Sequence, residues 1–426
     1  MNVRQAYRYE LKPNAAQRVL LAKHAGVARY AYNWGLARRK ELLSTSEGKA
    51  RFSDAIQDHR AWNEWKRTSF PWWEEVSKCA PQEAFRDLDR AFKIFWAARK
   101  EGRSVGFPRF HKKGRHDAFR FSTGAIRALG SHAQLPRLGR IRVKERTAVK
   151  GRILSATVSR EADRWFVSFT VERERPDPKP VEGDIIGVDL GVAHFATVSD
   201  GDVLEAPRPL ARHLKKLKRL QRQHSRKQKG SSNRRKSATH LARLHRRIRN
   251  IRQDFLHKAT TRLAKTKRVI VVESLAIRNL TRSARGTTAS PGKRVRQKAG
   301  LNRSILDQGW GLFLWMLVYK TFWYGSKLLQ AAPYYASSKT CSSCGAYRAE
   351  LPLAVRRWRC EACGVEHDRD RNAAINLANL ARSTESSSGT YACRDPSGGG
   401  TDTRPVYEPR VVEAGSERAV SAAETP

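Results

Sequence analysis

The amino-acid sequence predicts an α/β protein built from several domains. The chain has 426 residues, of which 40% are hydrophobic. This is enough apolar sequence to bury sizeable cores, and it excludes a chain that is disordered throughout. At about 100–200 residues per domain, two to four domains are expected. Segments with apolar residues at helical spacing alternate with segments that have the pattern of strands.

Residues 1–12 and 105–180 are predicted to form the strands of one small β-barrel. After residue 105, several short segments alternate apolar and polar side chains. The clearest are 154–158 and 165–171, which can pair across a turn at 161–163.

Residues 13–104 are predicted to be a helical insertion into this barrel. Pro13 and Asn14 give a turn and N-cap signal, and apolar residues recur at helical spacing from Leu20 to Leu36. The Trp and Phe side chains that follow are interpreted as a helical core. Stacking of one or two rings on nucleic-acid bases is the alternative.

A further domain is predicted over residues 181–335. The apolar runs 185–192 and 269–272 predict buried strands. Residues 282–304 are basic and rich in Gly, Ser and Thr, which predicts a mobile loop and, as a hypothesis from composition alone, a lid. Residues 305–330 predict an aromatic helix.

Three shorter segments complete the predicted organisation. A cysteine module occupies residues 336–366, and residues 367–382 return to the preceding domain with a final helix. Residues 383–426 are rich in Ser, Gly and Pro with few large apolar side chains, which predicts a disordered tail.

The charge of the chain predicts a nucleic-acid partner. Lys and Arg number 84 against 40 Asp and Glu, so the formal net charge is +44, and a polyanion is needed to compensate such an excess. An anionic membrane is disfavoured, because lipidation signals are absent and the longest apolar run, 308–319, is too short to span a bilayer. With no signal peptide either, we expect a soluble, intracellular protein.

The basic residues are concentrated in one predicted helical hairpin, residues 206–262. Between residues 206 and 253 there are 18 Lys or Arg and no acidic residue, and leucines at spacings of 3 and 4 predict two helices that fold back at 229–233. A merely solvated helical face would normally mix both signs. We therefore expect nucleic-acid contacts from Lys215, Lys216, Lys218, Arg219, Arg222, Arg226, Lys227, Lys229, Arg234, Arg235 and Lys236. Weaker candidates for duplex contact are Lys12, Arg18, Lys23, Arg29, Arg38, Arg39 and Lys40.

Four of the six cysteines predict a structural zinc site. Cys341 and Cys344 form one Cys-x-x-Cys pair, and Cys360 and Cys363 form a second pair 15 residues later. Four thiolates at this spacing suit tetrahedral Zn²⁺ in a ribbon, and such a closed set leaves no open catalytic position. The alternative, a redox pair, would require a thioredoxin-like context that the sequence lacks.

Three carboxylates stand where apolar packing would be expected. Asp189 interrupts one predicted buried strand, Glu273 ends another, and Asp370 precedes the final helix. A buried carboxylate is costly unless it is paired or binds a metal. Carboxylates from adjacent strands can converge on two Mg²⁺ ions that bind a scissile phosphate. The residues alone do not establish that the three meet.

These features together resemble the TnpB (OrfB) family of insertion-sequence proteins, RNA-guided RuvC-type nucleases related to the type V CRISPR effectors. The resemblance covers roughly residues 1–380. Its motifs, in the family's order, are YRYELKP at 7–13 with RYAYNW at 29–34, GVDLG at 187–191, RQDFLHK at 252–258 with VVESL at 271–275, SSKTCSSCG at 337–345, and DRDRNAAIN at 368–376. Ser274 departs from the acidic residue that is usual there, next to the catalytic glutamate.

The resemblance implies a specific fold and site. It implies an RNase H-like RuvC domain with an inserted four-cysteine zinc ribbon, preceded by a wedge β-barrel that carries a helical recognition domain. It implies that Asp189, Glu273 and Asp370 bind two Mg²⁺ ions, or Mn²⁺, and catalyse. Asp370 is preferred over Asp368 because it stands first in the family's Asp-x-Asn-Ala-Ala motif.

The implied function is an RNA-guided DNA endonuclease of a bacterial transposable element. Its cofactors are Mg²⁺, structural Zn²⁺ and a guide RNA transcribed from the element. Its target is double-stranded DNA next to a short flanking motif, in the bacterial cytoplasm at the nucleoid. Two alternatives remain: a nuclease-inactive RNA-guided repressor, which the intact triad disfavours, and a transposase that acts on DNA directly, for which no Tyr beside a His cluster is found.

Overall fold

The computed structural model describes residues 2–45, 53–69 and 71–386. These residues form two compact units that divide between Pro176 and Asp177. Each unit has its own hydrophobic core and is described separately.

The first unit places three long helices between the first and second strands of a sheet. The elements in chain order are β1 (Asn2–Lys12), α1 (Ala15–Thr45), α2 (Ala55–Ser69), a 3-10 helix (Pro71–Glu75), α3 (Cys79–Lys100), β2 (Ala118–Phe121), β3 (Arg127–Leu129), β4 (His132–Leu135), β5 (Gly139–Val143), β6 (Arg152–Glu161) and β7 (Arg164–Glu174). The segment 13–104, predicted to be a helical insertion, contains α1 to α3.

The seven strands of this unit form one antiparallel sheet in the order β2-β6-β7-β1-β5-β4-β3. The hairpin β6–β7 pairs Val158 with Val167 across Ala162, as the sequence predicts. Among the described strands no pairing joins edge β2 to edge β3. A closed barrel thus stays a prediction.

The aromatic residues of the helical insertion lie mainly in the core, which agrees with the favoured interpretation. Trp62, Phe85 and Phe92 are at most 2% exposed and pack with the inner faces of the sheet strands. Arg39 is also buried and is paired with Asp58 and Asp89. The prediction that Arg39 contacts a nucleic-acid duplex is therefore wrong, because its charge is satisfied inside the unit.

The second unit is a mixed sheet flanked by helices, with a small two-stranded ribbon near its end. Its elements are β8 (Ile185–Leu190), β9 (Ala196–Val198), β10 (Val203–Leu204), α4 (Pro209–Ser225), α5 (Ser232–Thr266), β11 (Val269–Val272), α6 (Ile277–Leu280), α7 (Val295–Gln308), α8 (Trp310–Tyr324), β12 (Lys327–Gln330), β13 (Arg357–Arg359), β14 (Glu366–Asp368) and α9 (Arg369–Ser386).

The main sheet of this unit has the order β10-β9-β8-β11-β12. Strands β8, β11 and β12 are parallel, and β9 and β10 form an antiparallel edge. All residues of β11 are buried, and β8 is buried except for Asp189. The two runs predicted to be buried strands are therefore strands β8 and β11, which are neighbours in the sheet.

Two predictions between residues 282 and 330 are wrong. Residues 295–304 belong to helix α7 instead of a loop, and Lys298 and Asn302 hold this helix by donating to the carbonyls of Leu280 and Thr281. Residues 327–330 are strand β12 instead of helix, because Gly325 ends α8 with a φ of 83° and the next residues pair with β11. Both outcomes depend on contacts distant in sequence.

The last helix extends slightly beyond the predicted domain end. α9 continues to Ser386, four residues into the segment predicted as a tail. Residues 387–426 lie outside the described part of the chain. Among the described residues, no helix is both long and apolar enough to cross a membrane.

Candidate active site, four-cysteine cluster and basic hairpin

Asp189 and Glu273 lie at the same edge of the main sheet. β8 and β11 run parallel with Val188 paired to Val272, so the residues that follow, Asp189 and Glu273, are neighbours. Parallel strands bring their carboxyl ends to one edge, where ligands commonly bind in open α/β sheets.

Asp370 reaches this edge because α9 packs closely on β8. Gly187 in β8 makes the approach possible: a Cβ on this residue would lie 1.9 Å from the carbonyl oxygen of Ala374 and 2.7 Å from the amide nitrogen of Ala378. Any larger residue would push the helix away. Asp370 stands in the first turn of α9 and is thereby carried to the strand ends.

The electrostatics show that the three carboxylates interact. The pKa of Asp189 is raised well above its ordinary value, first by desolvation and then by the charges of Glu273 and Asp370. Like charges held together in a partly buried place favour proton uptake or a bound cation. The oxygen donors present suit a hard divalent cation such as Mg²⁺ or Mn²⁺.

Two partners of this site were not anticipated from the sequence. The hydroxyl of Ser337 is buried and donates to Glu273 Oε1 at 2.8 Å. The guanidinium of Arg356 donates to both oxygens of Asp370, at 3.1 and 3.4 Å. Both residues come from the cysteine module, and only their position next to the zinc-ribbon motif could have indicated a role.

The four predicted zinc ligands form one cluster, called here the four-cysteine cluster. All four sulfurs lie within 4.8 Å of one another, with Cys341 Sγ 3.7 Å from Cys363 Sγ and Cys344 Sγ 3.6 Å from Cys360 Sγ. Tetrahedral Zn²⁺ with Zn–S bonds near 2.3 Å needs S···S distances of about 3.8 Å. The cluster therefore fits zinc.

Two matching turns present these sulfurs. The amide of Gly345 donates to the carbonyl of Cys341, and the amide of Gly364 donates to that of Cys360, each at 2.9 Å. Both glycines have a φ above 70°, which L side chains rarely adopt. Hydrogen bonds, the largest from the backbone N–H of Cys363, lower the pKa of Cys360 to about 7. Hydrogen bonds with the other cysteine side chains raise the pKa of Cys344 to about 12.

The segment between the sheet and the four-cysteine cluster is tied to α9. The side-chain amides of Asn372 and Asn376, both buried, donate to the carbonyls of Ser337 and Thr340 at 2.7–3.3 Å. The same segment carries the Ser337 hydroxyl that contacts Glu273. The two candidate metal-binding centres are thus joined by one short connection.

The basic hairpin is formed by α4 and α5. Every predicted nucleic-acid-binding residue lies on these helices or on the turn between them. A cavity of about 440 Å³ on α4 is lined entirely by such residues: Lys215, Lys216, Lys218, Arg219 and Arg222. Arg234 differs from the others, since it donates to the carbonyls of His224 and Lys227 and braces the turn.

Asp307 anchors the hairpin to the rest of its unit. Its carboxylate accepts hydrogen bonds from the backbone amides of Leu210 and Ala211 at the start of α4, each at 3.0 Å. It is also paired with Arg252 of α5 at 3.1 Å. A carboxylate at a helix N-terminus is stabilising, so one buried residue from α7 fixes both helices.

Three family profiles match this chain. They are described as "Probable transposase" (OrfB, IS605) over residues 168–284, "Cas12f1-like, TNB domain" over residues 310–377 and "Helix-turn-helix domain" over residues 1–49. In the structure the described part of residues 1–49 is strand β1 followed by the single helix α1.

Full-length relatives were also found. The chain is 38% identical over 376 residues to a protein of Escherichia coli (strain K12) named "Putative RNA-guided DNA endonuclease InsQ", covering 88% of this chain and 91% of that protein. A Mycobacterium tuberculosis (strain ATCC 25618 / H37Rv) protein named as the same kind of enzyme is 38% identical over 410 residues, covering 88% and 86%.

A solved structure shares the fold. It is described as "Cryo-EM structure of the Cas12f1-sgRNA-target DNA complex", and the superposition covers 89% of this chain and 99% of that chain with a TM-score of 0.50 and 12% identity. At this identity the likeness concerns the mixed α/β fold alone.

Proposed function

The chain belongs to the TnpB (OrfB) family, and on this premise we propose that it is an RNA-guided, divalent-metal-dependent DNA endonuclease of a bacterial transposable element. It holds a guide RNA transcribed from that element and cuts double-stranded DNA next to a short flanking motif, in the cytoplasm at the nucleoid. The names of the relatives support this proposal. The observation that carries it is that Asp189 and Glu273 follow paired residues of two parallel strands, with the charges of Glu273 and Asp370 raising the pKa of Asp189.

The two units take the domain roles that the family resemblance implies. The second unit, with its parallel strands, edge hairpin and final helix, is the RNase H-like RuvC domain, and residues 336–366 are its zinc ribbon. The first unit is the wedge domain, and its inserted helices are the recognition domain. The strand order of the two sheets and the position of the four-cysteine cluster support this assignment.

The residues of the proposed site have different roles in phosphodiester hydrolysis. Asp189, Glu273 and Asp370 hold the divalent cations, and when bound these supply Lewis acidity and a more acidic water. Ser337 fixes the orientation of the Glu273 carboxylate through its hydrogen bond. Arg356 places a positive charge beside Asp370, where the charge of a phosphate group can be met.

The basic hairpin binds the phosphate backbone of nucleic acid. Its cations lie on solvent-facing helices without acidic neighbours along residues 206–253, so they can replace counterions on phosphates. The DNA sequence is recognised by base pairing between the guide RNA and the target strand. The protein contacts mainly the nucleic-acid backbone and recognises the shape of the heteroduplex, as in Cas9-type effectors.

A cleavage assay tests the proposal. The protein is purified with its coexpressed RNA, the RNA is sequenced, and matching target DNA is presented with and without Mg²⁺. We expect Mg²⁺-dependent double-strand cuts, and in Asp189→Ala a loss of cleavage with DNA binding retained.

Other outcomes separate the alternatives. A wild-type complex that binds matching DNA but never cuts it would show an RNA-guided repressor and contradict the nuclease. Strand-transfer products formed without any RNA would show a transposase.

A further inference from the structure

A second cavity opens beside the proposed active site. It has a volume of about 390 Å³ and is lined by His194, Thr197, Arg356 and Asp370, among others. Asp370 is the triad carboxylate that lines it, and Thr197 of β9, which also lines it, is the register partner of Asp189. A cavity of this size can admit one nucleotide unit of a strand.

The histidine in this cavity is oriented by a carboxylate. His194 Nδ1 contacts Glu205 Oε1. Both side chains are about half-exposed, at 48% and 61%, so solvent and substrate can reach the ring. Because the carboxylate accepts the hydrogen on Nδ1, the lone pair of the neutral imidazole lies on Nε2.

The turn that carries His194 is firmly held. Phe195 is fully buried against Phe255 and Phe313. The carbonyl of Val192 accepts a hydrogen bond from Gln308 at 3.2 Å. A general base must be held in place for its proton transfer to be efficient, and these contacts supply that rigidity.

We propose that His194 is a catalytic residue that accepts the proton of the water attacking the scissile phosphodiester, with Glu205 as its positioning residue. The inference rests on the proposed nuclease function. The water oxygen forms a bond to phosphorus, and its proton passes to His194 Nε2. The bond from phosphorus to the leaving oxygen breaks, and that oxygen keeps the electron pair and takes a proton from solvent.

Several other charged groups face this histidine or line its cavity and will shape its pH dependence. Arg208, the residue before α4, donates hydrogen bonds to the carbonyls of Val192 and Ala193. Strand β14, helix α9 and the loop before β13 add charged side chains of both signs. The full set is Glu205, Arg208, Arg356, Asp368, Asp370 and Arg371.

Single-turnover cleavage by the protein–guide RNA complex tests the proposal. We expect His194→Ala to slow cleavage about 10²-fold, the scale of general base catalysis, with unchanged affinity for target DNA. Added imidazole should restore much of the rate to His194→Ala but not to Asp189→Ala. His257→Ala, which removes an exposed histidine of α5 that does not line the cavity, serves as the matched control and should cut normally.

A pH profile and a modified substrate separate this role from others. Between pH 5 and 8, where histidine changes charge, the wild-type rate should fall more steeply with acid than the His194→Ala rate. The triad carboxylates contribute equally to both profiles. In a substrate whose leaving oxygen is replaced by sulfur, the leaving group needs no proton. Because His194 is proposed to act on the attacking water, His194→Ala should slow cleavage of this substrate as much as it slows cleavage of normal DNA.

Three results would overturn the inference. They are a His194→Ala protein that cuts at the wild-type rate, a defect that the sulfur substrate removes, and a defect that excess Mg²⁺ abolishes. A wild-type complex that does not cut at all would remove the nuclease proposal and this inference together. Normal cutting by both wild type and His194→Ala would remove the inference alone.

Discussion

The four-cysteine cluster and the proposed carboxylate site are built in opposite ways. The cluster takes its sulfurs from two short turns within 23 residues, each shaped by its own glycine. The proposed site takes its carboxylates from two parallel strands and a helix that span 182 residues. Local backbone geometry therefore suffices for the first, whereas the second depends on strand register and on helix packing.

The comparison also shows that the two sites are not independent. Ser337, which contacts Glu273, and Thr340, which precedes the first cysteine, are both held by Asn372 and Asn376 of the helix that carries Asp370. Loss of the four-cysteine cluster should thus reach the proposed carboxylate site through this connection, and mutations can show how far the coupling extends.

Breaking the four-cysteine cluster should have the largest effect. Cys341→Ser removes a buried ligand, and small metal-dependent modules lose their fold with their metal. We expect zinc content to fall from about one per chain towards zero, with loss of detectable cleavage, as measured by atomic absorption and the cleavage assay. Cys393→Ser, which changes none of the four predicted zinc ligands, is the control and should keep both. Full cleavage by zinc-free Cys341→Ser would show that the sites are independent.

Breaking the carboxylate site alone should be possible at Gly187. In Gly187→Ala the new methyl group would meet the Ala374 carbonyl oxygen at 1.9 Å, so α9 must move and displace Asp370. A misplacement of about 1 Å can cost about 10²-fold in rate, and we expect a loss of that size with zinc content unchanged.

The control for this change is Gly300→Ala in α7, where the nearest atom to an added Cβ is the flexible end of Arg303 at 3.8 Å. It should cut normally. Normal cleavage by Gly187→Ala would mean that the close approach of α9 and β8 does not position Asp370.

The connection between the sites can be weakened in steps. Asn372→Ala and Asn376→Ala should each lower the free energy of unfolding by about 1 kcal/mol. The loss is moderate because the remaining asparagine still donates to the carbonyls of Ser337 and Thr340. The double variant leaves those carbonyls without either amide and should lose more than the sum. Thermal unfolding measures all three, with Asn379→Ala on the outer part of α9 as control. Strict additivity would contradict a shared role.

The smallest effect concerns charge at the carboxylate site. Because the pKa of Asp189 is raised in the folded protein, the fold binds an extra proton, and stability falls as pH rises through that pKa. Asp189→Asn removes the charge. In Mg²⁺-free buffer it should unfold at a higher temperature than wild type at neutral pH, and this gain should shrink in acid.

Asp254→Asn is the control for this measurement, since its carboxylate is 62% exposed and is paired with Lys258 in α5. It should show no such pH-dependent gain. A lower unfolding temperature for Asp189→Asn at neutral pH would mean that the Asp189 charge is stabilising, contrary to its desolvation and its acidic neighbours.

Much of the fold was predictable because many of its elements follow local rules. The strands around Val158 and Val167, the buried runs of β8 and β11, and the fold-back between α4 and α5 all follow from apolar spacing and turn residues. The errors arose where contacts distant in sequence decide the outcome. Strand β12 forms on the edge of β11, and α7 is held by carbonyls near residue 280.

The sequence by itself determined the four cysteine ligands, the basic hairpin and the identity of the three isolated carboxylates, because spacing, charge and apolar context are local properties. Only the tertiary structure decided that the charges of Glu273 and Asp370 act on Asp189, that Ser337 and Arg356 contact Glu273 and Asp370, and that His194 and Asp370 line one cavity. It also decided that Arg39 is buried with its acidic partners. Such contacts arise from strand register and helix packing, which bring together residues far apart in the chain.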